Sequence, residues 1–119
     1  MKSEHPNLTQ QKCLPCEGIG KPLNRDQVDT LLRNIPDWRL GQAGKSIFIE
    51  LTLKNFMAAI ALINQIAQIA ESENHHPDLH LTGYKRLRID LTTHALGGLS
   101  QNDFIVAAKI DQLCSAPQR

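Results

Sequence analysis

Two short segments with alternating polar and apolar residues constrain the fold of this chain more than any other feature. Residues 78–82 and 86–93 carry an apolar side chain at every second position, starting at Leu79 and Leu87. This period of two indicates β-strands with one buried face, because successive side chains of a strand point to opposite sides. A link of hairpin length, which begins at Gly83, separates the segments. We therefore predict that they pair antiparallel.

The rest of the chain alternates between helical and strand periodicity. Apolar residues recur at helical spacing after Asn24, across residues 55–72 and after Ser100. Strand patterns occur at residues 38–40 and 47–53. The predicted order is helix, strand, strand, helix, strand, strand, helix. This order predicts an α+β fold in which three helices pack on one face of a four-stranded antiparallel sheet.

Two capping sequences mark the expected starts of helices. Asn24 and Gln27 have the spacing of a capping box, in which each side chain bonds the other residue's backbone N–H. Ser100 and Asp103 have the same spacing, with Asp in place of the more usual Glu. Helices are therefore predicted to begin directly after Asn24 and Ser100.

Chain length and periodicity indicate one folded domain preceded by an N-terminal arm. The 119 residues fit a single compact domain. Residues 1–22 mix Pro, Gly, Cys and polar residues without a period, and we expect an irregular arm there. The domain then occupies residues 23–119. Pro36 is expected to end the first helix just after Ile35.

The helix predicted at residues 55–72 has a wide apolar surface. At 100° per residue, one face carries Phe56, Ala59, Ile60, Ile63, Ile66, Ala67 and Ala70. Leu62 and Ile69 extend this face sideways. The arc is wider than packing on one sheet requires, and two interpretations stay open. Either the helix is deeply buried, or its flank, with Leu62, Ile66 and Ile69, contacts another subunit of a homo-oligomer.

Charge and hydropathy patterns argue against two classes of partner. The chain has 13 Lys and Arg against 12 Asp and Glu, a net charge of +1, so electrostatic binding of nucleic acid is not indicated. No apolar run approaches the roughly 18 residues that a membrane span needs. No apolar stretch follows Lys2, so we expect no secretory signal and a cytoplasmic protein.

Cys13 and Cys16 form a lone C-x-x-C pair. A zinc site would need two further ligands, and no second pair follows at a suitable spacing. The sequence after the pair opens no regular helix, as a redox motif would. We therefore expect the pair to be structural or incidental, and predict no bound metal.

Four of the five histidines lie between residues 75 and 94. The predicted hairpin brings the start of its first strand close to the end of its second, and so brings His75 and His76 towards His94. Acidic residues are expected around this cluster at Glu71, Asp78 and Asp103. His80 has the outward parity of a solvated strand face, and we expect it to have no role in the site.

Such a cluster suits either metal binding or proton transfer. Imidazole is a good metal ligand, and it also exchanges protons near neutral pH. Adjacent histidines on an extended segment point apart, which disfavours a shared metal ion. General acid–base catalysis is therefore the preferred interpretation.

The spacing of these residues resembles a known family signature. The chain carries a spaced set of residues that looks like the signature of the pterin-4a-carbinolamine dehydratases. The set is Glu71, His75, His76, Pro77, Tyr84, His94 and Asp103. The likeness runs from about Pro22 to Leu113 and includes the segments I-P-D-W, T-T-H and G-G-L-S. The C-x-x-C-E-G sequence of the arm is similar to that of bacterial members.

The resemblance implies a hydro-lyase that removes water from 4a-hydroxytetrahydropterin without a cofactor. The quinonoid dihydropterin product would be recycled to tetrahydrobiopterin for aromatic amino-acid hydroxylases. The resemblance also implies a homodimer or homotetramer. A non-catalytic dimerisation or assembly-cofactor protein of the same fold stays open as an alternative.

The resemblance also assigns roles to residues. His75 and His94 are expected as acid–base groups, and His76 as a further catalytic or substrate-binding histidine. The supporting or substrate-binding residues are expected to be Glu71, Asn74, Pro77, Asp78 and Asp103. Asn74 is a departure, since some members have Asp there, and an amide cannot stabilise an imidazolium as a carboxylate does.

Overall fold

The computed structural model describes residues 8–15 and 19–115. Within these residues the chain forms the predicted succession of helices and strands. In chain order they are α1 (Arg25–Leu32), β1 (Arg39–Leu40), β2 (Ile47–Thr52), α2 (Phe56–Glu73), β3 (Asp78–Thr82), β4 (Arg86–Leu91) and α3 (Gln101–Ser115).

The four strands form one antiparallel sheet in the order β1-β2-β4-β3. The predicted hairpin is present, and Leu79 lies opposite Ile89 in its register. Ile89 also lies opposite Ile49 of β2, so the apolar positions of neighbouring strands share one face. The predicted α+β fold and its antiparallel sheet are confirmed.

The core lies between this apolar face and the helices. Strand residues such as Leu87 and Ile89 belong to the same buried cluster as Leu31 of α1, Ile66 of α2 and Phe104 of α3. Helix α3 is buried around most of its circumference from residue 102 to residue 108. The opposite face of the sheet, which we call its polar face, carries mostly polar side chains, together with Phe48 beneath the Arg88 guanidinium.

The capping boxes begin their helices as predicted, although Ser100 differs in detail. Asn24 Oδ1 accepts the N–H of Gln27, and the Gln27 side chain accepts the N–H of Asn24. Asp103 accepts the N–H of Ser100, while Ser100 Oγ accepts the N–H of Asn102. These local bonds satisfy backbone donors that a helix start otherwise leaves unpaired.

Helix α1 ends earlier than the sequence predicted. The helix stops at Leu32, and residues 33–37 form successive turns. Proline disfavours a helical conformation in the residue before it, which excludes Ile35 from the helix. Ile35 is nevertheless fully buried, so its apolar character reflects the core and not the last turn of α1.

The buried stripe of α2 is rotated from the predicted one. Its buried residues are Ala59, Leu62, Ile66, Ala70 and Glu73. Of the two interpretations, the one that placed Leu62, Ile66 and Ile69 on a flank facing another subunit is wrong for Leu62 and Ile66, since both pack in the core, and Ile69 is partly buried against that core. Phe56 and Ala67 are exposed and Ile60 and Ile63 half-buried. We call these four residues the α2 flank.

The described part of the arm lies against the domain. Leu8 begins a short 3-10 turn, Leu8–Gln10, and its side chain is buried in the core cluster. Residues 11–15 continue along α3, where Gln101 Nε2 donates to Gln11 Oε1 over 2.6 Å. Of the helices in the described residues, none is long and apolar enough to cross a membrane.

Candidate active site

The end of α2 directs the histidine pair into the site. Asn74 adopts the left-handed conformation, with φ 53° and ψ 41°, and its N–H bonds the carbonyls of Ala70 and Glu71. The N–H of His75 also bonds the carbonyl of Ala70 over 3.1 Å. Asn tolerates this backbone conformation better than most residues. The chain therefore leaves the helix sharply at Asn74 and places His75 on the segment that enters β3.

The central contact of the site joins His75 to Asp103. His75 Nε2 lies 2.6 Å from Asp103 Oδ1. The carboxylate is fully buried, whereas 11% of the imidazole side chain stays exposed. The His75 ring therefore connects a buried carboxyl group to the surface, as an acid–base group must if it is to reach a substrate.

Two further donors hold the same carboxylate. Asp103 Oδ2 accepts the Thr93 hydroxyl over 2.8 Å and the Ser100 N–H over 3.0 Å. The two hydroxyls of Thr93 and Ser100 lie 2.8 Å apart. Because Thr93 donates its one proton to Asp103, Ser100 donates to Thr93. The network fixes Asp103 from the side opposite His75.

This arrangement selects a tautomer of His75. A carboxylate only accepts hydrogen bonds, so Nε2 of His75 carries the proton that points at Asp103. Nδ1 is then the ring nitrogen left to exchange a proton with a ligand. A carboxylate that orients an imidazole in this way is a recurrent device of acid–base catalysis.

His76 makes a separate and more exposed pair. Its Nε2 lies 2.5 Å from Oε2 of Glu71, and both side chains are exposed. Glu71 precedes His76 by five residues, and the turn at Asn74 brings them together. Exposed pairs of this kind are screened by water and contribute little to stability.

His94 begins the 3-10 turn His94–Leu96 that follows β4, and its side chain is exposed. Its chain neighbours place it beside the central pair. Thr93 bonds Asp103, and Ala95 lines the same cavity as His75. His94 therefore lies beyond the end of β4, the end of the sheet where the hairpin was expected to bring the histidines, although its side chain is not among those that line the cavity.

A cavity of about 400 Å³ opens in front of His75. Its lining residues are Cys13, Leu14, Pro15, Glu73, Asn74, His75, Ala95 and Asn102. This volume is within the range of small-molecule sites in proteins. The cavity therefore has room for a small cyclic substrate beside the exposed edge of the imidazole.

Glu73 and Asn102 were missed by the sequence analysis. Both are buried polar residues beside the cavity. Glu73 follows Ala70 by three residues and Ile66 by seven, so it lies on the buried stripe of α2. An acidic residue at that spacing was a usable signal, but recognising it required the true rotation of the helix.

Glu73 is held as a carboxylate by several donors. Cys13 N–H donates to its Oε1 over 2.8 Å, Lys109 Nζ bonds its Oε2, and Lys12 Nζ lies 3.7 Å from Oε2. Burial acts to raise the pKa of Glu73, but the hydrogen bonds from Lys109 and Cys13 and the nearby lysine charges lower it below its ordinary value.

The Cys13 thiol is unsuited to nucleophilic chemistry. Burial, together with the Glu73 carboxylate, raises its pKa to about 12, so the reactive thiolate is scarce at neutral pH. Cys16 lies outside the described residues. Within residues 8–15 and 19–115, no three His, Cys, Asp or Glu side chains form a group that could hold a metal ion.

Three residues close in sequence to the predicted histidine site lie on the polar face of the sheet or beside it. They are Pro77, Asp78 and His80. Asp78 pairs in register with Asp90 of β4 and is exposed. His80 is also exposed, with Nε2 at 3.6 Å from Asp90 Oδ2. Pro77 is half-buried on the segment that leads from the histidine pair into β3.

The fold and the site together define a small α+β protein with a histidine–carboxylate pair beside a cavity. A crystal structure described as transcriptional coactivator/pterin dehydratase from Brucella melitensis matches the chain with a TM-score of 0.74 and 26% identity. The match covers 78% of this chain and 98% of that one.

The family follows from a direct sequence match. The family model for pterin 4 alpha carbinolamine dehydratase matches residues 21–113, and the chain belongs to this family of hydro-lyases. A relative from Nitrosospira multiformis is 43% identical over 90% of this chain and 92% of its own length. Another from Legionella pneumophila (strain Corby) is 45% identical over 90% of this chain and 95% of its own. Both relatives are provisionally named pterin-4-alpha-carbinolamine dehydratases.

Proposed function

We propose that this protein removes water from 4a-hydroxytetrahydropterin and releases quinonoid dihydropterin. The observation that carries the proposal is the His75–Asp103 pair at the mouth of a cavity of about 400 Å³. The membership of a dehydratase family supports the same reaction. No cofactor enters the proposed chemistry.

Two imidazoles are sufficient for the reaction. The C4a hydroxyl leaves as water once it has received a proton, and the N5–H proton departs as the N5–C4a double bond forms. We assign proton donation to Nδ1 of His75 in its imidazolium form, in which Nε2–H still bonds Asp103 and Nδ1–H is the proton given to the leaving hydroxyl. We assign removal of the N5 proton to His94. One proton is given and one is taken, so the enzyme returns to its starting state by exchanging protons with water.

The remaining site residues are proposed to support this pair. His76, held by Glu71, is proposed to bind the polar edge of the substrate. Asn74 and Pro77 are proposed to set the path of the chain on either side of the histidines. Asp78 is proposed only as a more distant charge, because it lies on the polar face of the sheet.

The physiological setting is part of the proposal. The product would be reduced again to tetrahydrobiopterin for aromatic amino-acid hydroxylases. We propose the cytoplasm as the location, since Cys13 and Cys114 are free thiols and a reducing compartment preserves them. Residues 1–22 are proposed as the arm and residues 23–119 as the domain of a homo-oligomer.

A second candidate is a non-catalytic dimerisation or assembly partner. Two observations favour it: the matching Brucella protein is described as both coactivator and dehydratase, and the α2 flank leaves apolar side chains uncovered. This role does not require the buried pair of His75 and Asp103, whereas dehydration does.

The test is a stopped-flow dehydration assay with freshly generated 4a-carbinolamine. The wild-type protein should accelerate dehydration above the buffer rate, and His75→Ala should lower turnover by at least about tenfold. His80→Ala is the matched control and should be nearly silent. A wild-type protein without acceleration, or loss of activity only in His80→Ala, would contradict the proposal.

A further inference from the structure

The N-terminal arm is attached to the site at two points. Cys13 N–H donates to Glu73 Oε1 over 2.8 Å. Asn102 pairs with both backbone groups of Leu14: its Oδ1 accepts the N–H over 2.9 Å, and its Nδ2 donates to the carbonyl over 2.7 Å. These three bonds use the backbone of the arm, and the Cys13 thiol adds a weaker bond to the Asn102 carbonyl, with Sγ 3.7 Å from the oxygen.

The two attachment points adjoin the acid–base pair. Glu73 lies two residues before His75, and Asn102 directly precedes Asp103. Both attachment side chains are buried, with 3% of the Glu73 side chain exposed. Leaving such groups without a partner is unfavourable. The bonds to the arm therefore favour a docked segment in the folded protein.

The docked segment forms one wall of the cavity. Cys13, Leu14 and Pro15 line it together with His75 and Ala95. Leu14 does not pack in the core, since 59% of the residue is exposed. The segment thus offers an apolar surface beside the ring that we assign to proton transfer.

We propose that Leu14 and Pro15 are substrate-binding residues that contact the flat pterin ring, and that Glu73 and Asn102 are positioning residues that hold them there. This inference rests on the proposed function, because it names the wall against which that substrate lies. It also gives the arm, which the acid–base mechanism does not use, a role in affinity.

Leu14 and Pro15 should increase the affinity for the substrate and leave the rate of the chemical step unchanged. Contacts between apolar side chains and the ring are the same before and during loss of water. A contact of this kind lowers KM without raising kcat. Loss of the Leu14 contact should therefore raise KM and the Kd of a pterin together.

The decisive variant is Leu14→Ala, with Met57→Ala as its control. Met57 is also exposed, at 71%, and lies near the opposite end of α2, about 24 Å from Glu73 along the helix. Leu14→Ala should raise KM roughly fivefold or more with kcat within about twofold. The Kd for biopterin, measured by fluorescence titration, should rise in parallel. Met57→Ala should change none of these values.

Asn102→Leu tests the positioning role. It removes both bonds to Leu14 and should raise KM as Leu14→Ala does, and adding Leu14→Ala to it should have little further effect. If Asn102→Leu lowers the thermal midpoint of unfolding too far for assay, Leu14→Ala alone decides the inference. If the wild-type protein is active and Leu14→Ala leaves KM and Kd unchanged, the proposed contact between Leu14 and the pterin is wrong, while the proposed function stands. A wild-type protein that does not dehydrate the carbinolamine would overturn both.

Discussion

At the scale of single residues, the site depends on the burial of one carboxylate. Asp103 accepts bonds from Thr93 and Ser100 and contacts His75, all within 3.0 Å. The Glu71–His76 pair has a similar distance but lies in water. Orientation of the imidazole is therefore better defined at His75, because its partner cannot move without breaking a buried network.

Asp103→Asn should lower turnover by at least about tenfold while the substrate still binds. The amide keeps the size of the side chain but cannot accept three hydrogen bonds on two equivalent oxygens, so His75 loses its fixed tautomer. Stopped-flow dehydration measures this effect. Asp90→Asn, the same change on the polar face of the sheet, is the control. Equal rates in wild-type protein and Asp103→Asn would rule out the orienting role.

The His75 and His94 variants should not be additive. Each alanine substitution alone is expected to cost at least about tenfold in turnover, but the double variant should cost less than the product of the two. Residues that act on one reaction step lose their shared contribution only once. The comparison needs turnover rates for all four proteins under one set of conditions. Full multiplicativity would indicate two independent roles.

Replacing both Cys13 and Cys16 by serine should leave turnover within a few-fold of wild type. Burial and Glu73 raise the pKa of Cys13 to about 12, so its side chain is protonated at neutral pH. Its bond to Glu73 over 2.8 Å uses the backbone N–H, and a serine hydroxyl can replace the thiol as donor to the Asn102 carbonyl. Serine preserves that backbone. A hundredfold loss in a folded double variant would instead indicate thiol or metal chemistry in the arm.

At the scale of elements, the end of α2 connects stability to the site. The last helical residue, Glu73, bonds Lys109 of α3 and the backbone of Cys13 in the arm. The next residue, Asn74, reverses the chain and leads to His75. One helix terminus therefore joins the arm, α3 and the histidine pair, so changes there should affect both stability and binding.

The stability that the ionised Glu73 side chain contributes should be lost in acid. Its pKa is lowered in the folded state, so its carboxylate contributes stability above its unfolded pKa, and this contribution is lost as pH falls through the folded pKa. Glu73→Gln should therefore reduce the free energy of unfolding at pH 7 more than in acid. Urea denaturation at both pH values measures the difference.

The matched control for this experiment is Glu71→Gln. It makes the same chemical change two residues earlier, at a carboxylate exposed to water. We expect a much smaller effect on unfolding, since exposed pairs contribute little. A pH dependence that is equal in the two variants would show that burial of Glu73 does not matter.

At the scale of the whole molecule, the α2 flank is the feature that a single copy leaves unexplained. Phe56 and Ala67 are exposed beside the half-buried Ile60 and Ile63. Aligned apolar side chains of this kind are unfavourable in water and are typical of interfaces. The homo-oligomer that we propose would cover them.

Light scattering should therefore show a homo-oligomer at micromolar concentration. Ala67→Lys places a charge in the middle of the α2 flank and should shift the protein towards monomer. Gln68→Lys, which adds the same charge to an exposed neighbour about 100° around the helix, should not. A monomeric wild-type protein would contradict the assembly.

Features that depend on residues close together in the chain could be predicted from the amino-acid sequence. Strand alternation gave the hairpin through Leu79 and Ile89, and the side chain of Asn24 gave the start of α1. The spacing of His75 and His94 also predicts a shared site, because the short hairpin restricts where its two ends can lie, and their role in catalysis stays a prediction. Each of these signals acts over a few residues, so periodicity and capping rules were sufficient.

Which faces and side chains are buried depends on how the elements pack, and this could not be predicted from local patterns. The buried stripe of α2 includes Leu62 and continues to Glu73, which therefore lies inside the protein. The Glu73 carboxylate bonds Lys109 and also Cys13, a residue 60 positions away in the sequence. Asn102 likewise has its partner in the arm. Such contacts depend on how separate elements pack against one another, and no local pattern specifies the rotation of one helix relative to another.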